Sequence, residues 1–242
     1  MTEPATLGNQ RPSALARLMA GIAERHPNIQ PGPIDDSPTP DEPGHPEYHR
    51  RRRAEWALAR WTTATPPRYR NADATHPHVQ EWADAVATDP DTAGSILLTG
   101  TTGTGKTHQA YGALRRIAAA GPHRYEVIAT TAADMYGLLR PGGSDRGTET
   151  ELARLTAVPL LLLDDLGSAK ASEWTEEITY RLINERYNAC LPSIYTSNLP
   201  ASSPDGPNIT TVLGERISSR LSQDTRVIAM TGPDRRRALR SV

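Results

Sequence analysis

Cysteine and long apolar runs are scarce in this chain of 242 residues, whose one cysteine is Cys190. A single cysteine excludes an internal disulfide and a zinc module built on cysteines, and its place between helix and strand signals predicts a small core residue. No segment approaches the ~18 consecutive apolar residues of a membrane span. Because the first residues also lack the apolar core of a signal peptide, we expect a cytoplasmic protein that does not contact a membrane.

Lysine is scarce as well, and the overall charge is nearly balanced. The 27 basic and 28 acidic side chains leave a formal net charge of −1, so the chain as a whole does not attract nucleic acid and a DNA contact needs a local basic patch. Only two of the basic side chains are lysines, Lys106 and Lys170. One of these two lies where phosphate chemistry needs a lysine.

Residues 100–107 form a phosphate-binding loop of the pattern GxxxxGK[ST], directly after the apolar segment 96–98. Glycines at this spacing let backbone N–H groups point at a phosphate near the N-terminus of a helix. In such a loop the lysine, here Lys106, reaches the β- and γ-phosphates, and the hydroxyl of Thr107 binds Mg²⁺. We predict that a nucleoside triphosphate contacts the whole loop, which consists of Gly100, Thr101, Thr102, Gly103, Thr104, Gly105, Lys106 and Thr107.

Two carboxylates follow the most apolar segment of the chain. Residues 160–163 are four leucines, and Asp164 and Asp165 come directly after them. ATPases with a phosphate-binding loop use such an acid pair at the end of a buried strand to organise Mg²⁺ and to orient the attacking water. We predict the metal role for Asp164 and the water role for Asp165, where glutamate is more usual.

A third polar strand end is found at Asn198, which follows the predicted strand 193–196. Its amide can hydrogen-bond the attacking water or the γ-phosphate, which makes Asn198 a candidate sensor of the nucleotide. The alternative is an asparagine that only forms a turn before the next proline.

Two arginines lie on one side of the predicted helix 211–222. Arg216 and Arg220 are four residues apart and flank an apolar stripe that faces the core, formed by Leu213, Ile217 and Leu221. An arginine in such a place can neutralise transition-state charge at the nucleotide of another subunit, which couples hydrolysis to assembly. The alternative is a salt bridge on the helix surface.

From residue 95 onward, short apolar strands alternate with amphipathic helices. This alternation predicts an α/β fold, with a parallel sheet covered by helices on both faces. Ligands of such sheets bind at the carboxyl ends of the strands, which is where the phosphate loop, the two aspartates and Asn198 are predicted to meet.

The residues before the sheet divide into three segments. Residues 1–26 contain a short amphipathic docking helix, with Leu15, Leu18, Met19 and Ile22 on one face. Residues 27–46 are rich in proline and acids and predict an extended linker. Residues 47–65 form a helix with clustered arginines and two tryptophans, and the ATPase core follows from 66 to 242.

The helix at 47–65 has two interpretations. Arginines near tryptophans can bind the backbone and bases of a nucleic acid. The same pattern also fits a solvated helix end that docks its tryptophans on the main domain.

Taken together, the motifs resemble the DnaC/IstB group of AAA+ ATPases. The resemblance covers about residues 66–238 and rests on the order and spacing of GTTGTGKT, LLLLDDLG, NERY, TSNLP and LGERISSRL. It implies a P-loop NTPase fold of the AAA+ (ASCE) type, with a parallel five-stranded sheet between helices, no full helical lid and a small helical N-terminal extension.

The same resemblance implies cofactors and roles. ATP and Mg²⁺ are the expected cofactors, with Gly105, Lys106 and Thr107 on the nucleotide, Asp164 and Asp165 on metal and water, and Asn198 as sensor. Arg220 is the expected finger in trans, and Arg236 fits a late family arginine by its spacing from Gly232. The loaders of this group form spirals and deliver the hexameric replicative DNA helicase onto single-stranded DNA, so that helicase, single-stranded DNA and further copies of the chain are the expected partners.

Three other functions stay open at this point. An IstB-like regulator that selects target DNA for a transposase shares every core motif, although the proline-rich tether favours a loader. A kinase or GTPase fits poorly, because no Asn-Lys-x-Asp element accompanies Lys170. A structural adaptor that binds ATP without turnover is kept open by Asp165.

Overall fold

The computed structural model describes residues 14–25, 37–203 and 206–234. The chain divides into two units, Met1–His45 and Pro46–Val242. In the first unit, helix α1 spans Ala14–Arg25, and Leu18 and Ile22 of its predicted apolar face are 62% and 45% exposed. Residues 37–45 form turns, whereas residues 27–36 of the predicted linker lie outside the described residues.

The second unit contains a five-stranded sheet, eight described α-helices and a short 3-10 helix at Pro67–Tyr69. The strands are β1 (Ser95–Thr99), β2 (Val127–Thr131), β3 (Leu160–Asp164), β4 (Ser193–Ser197) and β5 (Thr225–Ala229). The helices are α2 (Pro46–Ala64), α3 (Pro77–Thr88), α4 (Lys106–Ala120), α5 (Ala132–Leu139), α6 (Thr148–Ala157), α7 (Glu173–Asn188), α8 (Ile209–Leu213) and α9 (Glu215–Asp224). Among the described residues, no helix combines the length and the apolar character needed to cross a bilayer.

The five strands are all parallel and lie in the order β2-β3-β4-β1-β5. The predicted parallel α/β fold is therefore confirmed. β1 lies between β4 and β5, and β3 pairs with β4 so that Leu163 is opposite Tyr195. This register places the residues that follow β1, β3 and β4 at one edge of the sheet.

Alternate residues of the strands pack into two separate cores. In β1, Ile96 and Leu98 face α2, α3 and α4, whereas Leu97 faces α5, α6, α7 and α9. β3 divides its leucines in the same way, with Leu160 and Leu162 in the first core. Because side chains point alternately to opposite faces, a strand covered on both sides must be apolar throughout, which explains the four leucines.

Helix α2 packs against α4 along one side. Trp61 is buried and donates its indole N–H to the carbonyl of Tyr111 at 3.2 Å. Arg53 donates to the carbonyl of Gly121 at 2.9 Å, just past the end of α4. Trp56, in contrast, is exposed. The docking interpretation therefore holds for Trp61 and not for Trp56.

Two local predictions were wrong. The predicted helix 211–222 is two helices, α8 and α9, because Gly214 between them has φ 91° and ψ 156°, which no helix allows. Cys190 is exposed rather than a core residue. It follows the C-terminus of α7 at φ 52°, and Leu191 donates back to the carbonyl of Arg186 at 3.0 Å, so the side chain of this helix-ending residue points outward.

Candidate functional site

The phosphate loop connects β1 to α4 with a close backbone approach. A side chain at Gly100 would place its Cβ 2.2 Å from the carbonyl oxygen of Met230, which follows β5, so only glycine fits there. Gly105 precedes α4 in the left-handed region at φ 98°. The first N–H groups of α4 therefore point into the loop, as phosphate binding requires.

Lys106 is 5% exposed and already has three oxygen partners. Its ammonium donates to the carbonyls of Gly100 (2.8 Å) and Thr101 (2.9 Å), and to the side-chain oxygen of Asn198 (2.8 Å). The lysine of the loop and the predicted sensor are thus joined by a direct hydrogen bond, although they are far apart in sequence.

Asp164 accepts hydroxyl hydrogen bonds from two sides. Thr107 donates to its two carboxylate oxygens at 3.0 and 3.2 Å, and Thr196 of β4 donates to Oδ1. Burial raises the pKa of Asp164, and the neighbouring Asp165 adds to this rise, while the two hydroxyls and Lys106 oppose it. The carboxylate is therefore held in place but incompletely compensated in charge.

Asp165 has a left-handed backbone at φ 57°, an uncommon conformation outside glycine. Its N–H donates to the hydroxyl oxygen of Thr196 at 3.0 Å, and its carboxylate accepts from the amide of Asn198 at 3.2 Å. The turn directs the two consecutive carboxylates to different partners, Asp164 towards Thr107 and Asp165 towards Asn198.

A hydrogen-bonded chain therefore runs from Lys106 through Asn198 to Asp165. The amide oxygen of Asn198 accepts from the lysine and its amide nitrogen donates to the aspartate. The structure brings together the predicted loop, acid pair and sensor at the carboxyl edge of the sheet. Arg220 is not part of this group.

The oxygen ligands at this edge fit a magnesium ion. Mg²⁺ is usually held by one or two carboxylates and by substrate phosphates, with water in the remaining positions. The Thr107 hydroxyl lies against the Asp164 carboxylate and next to the loop that would hold the phosphates. These two side chains would therefore hold the metal.

Sequence reasoning missed Thr196. Its hydroxyl, buried in β4, contacts both acids, since it donates to Asp164 and accepts from the N–H of Asp165. A signal was available, because β3 and β4 are neighbours in a parallel sheet and Thr196 is a polar residue at the end of an apolar strand. Finding it requires the register, which the sequence does not state.

Arg186 was also missed as a buried structural arginine. It is 1% exposed, and its guanidinium donates five hydrogen bonds, to four carbonyls and one hydroxyl. Burial lowers its pKa to about 10. These bonds join the end of α6 to the start of β4, because the acceptors are Leu155, Thr156, Val158, Pro192 and Ser193.

The two predicted finger arginines lie on α9 and stack on tyrosines of α7. The guanidinium carbon of Arg216 is 4.0 Å from the ring centre of Tyr180, and that of Arg220 is 5.1 Å from the ring centre of Tyr187. Arg216 chiefly, and Arg220 with it, lowers the pKa of Tyr180. A groove of about 420 Å³ is lined by Tyr180, Glu215, Arg216, Ser219, Arg220 and Gln223.

Topology separates Arg220 from the nucleotide edge of its own sheet. Helix α7 runs from the carboxyl end of β3 to the amino end of β4, and Tyr187 lies in its last turn. Arg220, stacked on Tyr187, therefore lies towards the amino edge. The phosphate loop is at the opposite, carboxyl edge.

One weaker candidate, Arg236, and two further residues remain. Arg236 lies outside the described residues. Tyr69, which precedes the first strand, stacks on Tyr111 of α4 with ring centres 4.7 Å apart. Asp234, which the sequence did not single out, lies close to the phosphate loop, because a Cβ on Gly103 would be 2.0 Å from its carboxylate.

Curated relatives share part of this chain. An ATP-binding protein in an insertion sequence of Mycobacterium tuberculosis is 29% identical over 147 residues, 60% of this chain and 57% of that protein. The replicative helicase loader DnaC of Escherichia coli (strain K12) is 28% identical over 129 residues, 52% of this chain and 49% of that protein. The chain therefore spans about half the length of these relatives.

Solved structures share the fold. The crystal structure of the DnaC helicase loader superposes with a TM-score of 0.56 at 24% identity and covers 69% of this chain and 100% of that one. The crystal structure of DnaI has a TM-score of 0.56 at 18% identity and covers 73% of this chain and 99% of that one. At these identities the likeness establishes the fold alone, which this chain shares with the two solved structures.

A family-wide match covers the same region. The family described as IstB-like ATP binding protein matches residues 68–241, well over half of the chain. The match includes the phosphate loop, both aspartates, the sensor strand and α9. The resemblance read from the motifs is thus confirmed, and the chain belongs to the family of IstB-like ATP binding proteins.

Proposed function

We propose that the chain is an ATP-dependent loader that assembles on single-stranded DNA and delivers a replicative helicase during DNA replication. The observation that carries the ATP-dependent part is the chain of hydrogen bonds from Lys106 through Asn198 to Asp165. A γ-phosphate bound to Lys106 competes with Asn198 for the ammonium. Binding of ATP therefore changes the partner of the sensor, and through it the position of Asp165.

Each side chain of the site has a role in hydrolysis under this proposal. Thr107 and Asp164 would hold Mg²⁺, and the ion would neutralise charge on the phosphates. Asp165 orients the attacking water and accepts its proton, and Asn198 fixes the carboxylate by donating to it at 3.2 Å. The shorter reach of aspartate compared with glutamate fits a slow ATPase that acts as a switch.

Assembly completes the site. Arg220 lies away from its own phosphate loop, in a groove whose arginines are pre-oriented by two tyrosines. An arginine in trans stabilises the charge of the transition state, so we propose that Arg220 serves the nucleotide of the next copy in a homo-oligomer. Hydrolysis then depends on assembly on DNA or on a partner.

The assignment to a helicase rests on the DnaC relative and on the first unit of the chain. Under this proposal, the amphipathic helix α1 grips the helicase, and residues 27–46 tether it to the ATPase. The insertion-sequence relative supports a second candidate, an IstB-like regulator of target DNA selection by a transposase. Both candidates share the ATP chemistry and differ in the partner.

Capture of the partner from the native cell distinguishes the two candidates. The bait is Asp165→Asn in the presence of ATP, because this variant is expected to bind ATP and stop before hydrolysis. Lys106→Ala, which removes the phosphate ligand, is the matched control. A hexameric replicative helicase that appears with the first bait and is absent with the second supports the loader.

Removal of residues 1–45 tests the role of the N-terminal unit. The boundary falls where the structure divides the chain, so α2 and the core stay intact. Loss of the helicase from this truncated bait, with ATP binding unchanged, supports docking through α1. Recovery of a transposase, or of DNA without a helicase, by the full-length Asp165→Asn bait contradicts the loader proposal and favours the second candidate.

A further inference from the structure

Helix α2 presents a basic and aromatic face on the side away from the core. Arg52, Trp56 and Arg60 follow one another at four-residue spacing, which places them on one face over about 12 Å of helix. All three are exposed, and Trp56 is 52% exposed. This surface is called the α2 face below.

The α2 face is rigid, because the opposite side of the helix is anchored. Ala57 and Trp61 are buried against α4, and Arg53 bonds to the carbonyl of Gly121. The arginines in the first turns of α2 have different partners. Arg50 pairs with Glu47 and Arg53 ties the helix to α4, while Arg52 has no ion pair among the described residues.

Charge favours an anionic occupant. Helix α2 contains five arginines and two glutamates, Glu47 and Glu55, and so has a net charge of +3 in a chain whose total is −1. Glu47 is already shared by Arg50 and Arg51, and Glu55 lies at the edge of the face. The local positive patch that DNA binding requires of this chain is therefore present on α2.

The aromatic side chain indicates which anion. The guanidinium carbon of Arg60 lies 4.7 Å from the ring centre of Trp56, so one side of the indole carries a cation. The other side is available to stack on a planar group, as bases stack on aromatic side chains in single-strand binding proteins. A duplex hides its base faces, whereas a single strand exposes them.

A protein partner is the weaker alternative. Protein interfaces have an apolar centre that excludes water around their anchoring aromatics. In the described residues of α2, Trp56 is the only large apolar side chain that is exposed. Its neighbours on the face are His49, Arg52, Ala59, Arg60 and Thr63.

We infer that the α2 face binds single-stranded DNA, with Trp56 stacking on a base and Arg52 and Arg60 contacting phosphates on either side. At about 3.4 Å per nucleotide of a stacked strand, the 12 Å of the face spans three to four nucleotides. The inference rests on the proposed function, in which the chain acts on single-stranded DNA, and adds a site outside the nucleotide pocket where the strand is held.

Fluorescence anisotropy of a labelled oligothymidylate with the full chain and Mg-ATP tests the inference. Trp56→Ala is expected to weaken binding by about fivefold to 150-fold, the value of one base–aromatic stack. The double variant Arg52→Gln with Arg60→Gln is expected to lower the slope of log affinity against log salt by about 1.4, since each phosphate contact to a single strand contributes about 0.7.

A matched control removes the same charge elsewhere. Arg154→Gln with Arg181→Gln changes two arginines that form ion pairs on α6 and α7, and it should leave both affinity and salt slope unchanged. ATP binding, measured with a fluorescent analogue, should be the same in all variants, because none of the changed positions belongs to the nucleotide site. An unlabelled duplex of the same length should compete poorly.

The outcomes separate this inference from the proposed function. If the wild-type chain binds the oligonucleotide and both α2 variants bind it equally well, the strand lies elsewhere, and the inference is wrong while the loader proposal stands. If the wild-type chain with ATP does not bind single-stranded DNA at all, the inference and the DNA-binding part of the proposed function both fail.

Discussion

Thr196 connects the two acids that follow β3, although it belongs to another strand. Its hydroxyl is both donor, to Asp164, and acceptor, from the N–H of Asp165. A hydroxyl is the smallest group that does both. The geometry of the acid pair thus depends on a side chain that need not contact either nucleotide or metal.

Replacing Thr196 by valine tests this dependence. Thr196→Val keeps the shape but leaves the N–H of Asp165 without its acceptor, which should lower the free energy of unfolding by about 1–3 kcal/mol. ATP hydrolysis should fall, while binding of a fluorescent ATP analogue, which depends on the loop, should be largely kept. Denaturant unfolding and phosphate release measure the two effects.

The conservative variant Thr196→Ser provides the control for this experiment. Serine retains the hydroxyl, so hydrolysis and stability should return towards the wild-type values. Hydrolysis by Thr196→Val at the wild-type rate would show that the hydroxyl has no part in positioning the acids.

The buried carboxylate of Asp164 lowers the stability of the ligand-free protein at the site where its charge is needed to hold Mg²⁺. Burial raises its pKa, so the ionised carboxylate makes the ligand-free protein less stable at neutral pH. Asp164→Asn keeps an acceptor for Thr107 and Thr196 without the charge. We expect it to raise the melting temperature without ligand by about 2–4 °C for each kcal/mol regained, and to abolish Mg-dependent hydrolysis.

The pH dependence of this effect has a definite sign. With a folded pKa above the usual 3.8, wild-type stability from this group falls as pH rises from 3.8 through the raised value. The advantage of Asp164→Asn should therefore be full above the raised pKa and disappear below pH 3.8. Saturating Mg-ATP should reverse the order, because a ligand stabilises only the form that binds it. An equal advantage at all pH values would contradict the account.

At the scale of elements, strand assignments followed closely from the sequence because both faces of the sheet are covered. A strand such as β3, with leucines facing two cores, can only be a run of apolar residues. The helix that failed, 211–222, failed at one residue. Gly214 ends α8 and begins α9 in an extended conformation, and glycine is also tolerated inside helices, so its presence alone did not reveal the break.

The side-chain contacts that join neighbouring elements were the hardest to predict from the sequence. Arg186 joins the end of α6, the end of α7 and the start of β4 with five hydrogen bonds. A charged residue in a helix is normally exposed, and only the three-dimensional arrangement places the guanidinium among carbonyls. For this reason the NERY motif, which contains Arg186, was identified by its spacing alone, and no structural role was predicted for Arg186.

Arg186→Lys should destabilise the fold, although it keeps the charge. An ammonium has three donors and no planar fork, so some of the buried carbonyls lose their partner. We expect a loss of about 2–4 kcal/mol in the free energy of unfolding, from one or two buried groups left unpaired. Urea unfolding measures it as a lower midpoint at an unchanged slope.

Arg181→Lys is the matched control on the same helix. Arg181 pairs with Glu149 on the surface, at 2.7 Å, and exposed ion pairs contribute about 0–1 kcal/mol. Its replacement should leave the midpoint nearly unchanged. Equal effects of the two lysine variants would mean that the buried hydrogen bonds of Arg186 do not stabilise the connection.

At the scale of the whole molecule, Arg220 is separated from the nucleotide site of its own chain. The sequence located the phosphate loop, the acid pair and Asn198, and the structure brings these residues together at one edge of the sheet. Arg220 lies towards the other edge. What the sequence could not supply is this separation, because spacing along a chain does not say which edge of a sheet a helix residue reaches.

Mixing two inactive variants tests whether that separation is bridged by a second copy. Arg220→Ala alone should lose about a thousandfold in hydrolysis rate, the low end of what an arginine in trans contributes, and Asp165→Asn alone should be inactive as well. In a mixed assembly, an Arg220→Ala copy has intact acids and receives the arginine of an Asp165→Asn neighbour. Hydrolysis measured by phosphate release should therefore reappear on mixing.

The arrangement of copies in the assembly determines how much hydrolysis the mixture recovers. In a head-to-tail assembly, only sites formed by an Arg220→Ala copy next to an Asp165→Asn copy are complete, so activity should peak near equal amounts and vanish when the protein is diluted below its assembly concentration. A mixture of Arg220→Ala with Lys106→Ala should give the same recovery, provided that the Lys106→Ala copy still assembles. If no mixture recovers activity while the variants still co-assemble, Arg220 acts within its own chain. The loss of hydrolysis in Arg220→Ala must then come from a change in α9 and in the tyrosines against which this helix packs.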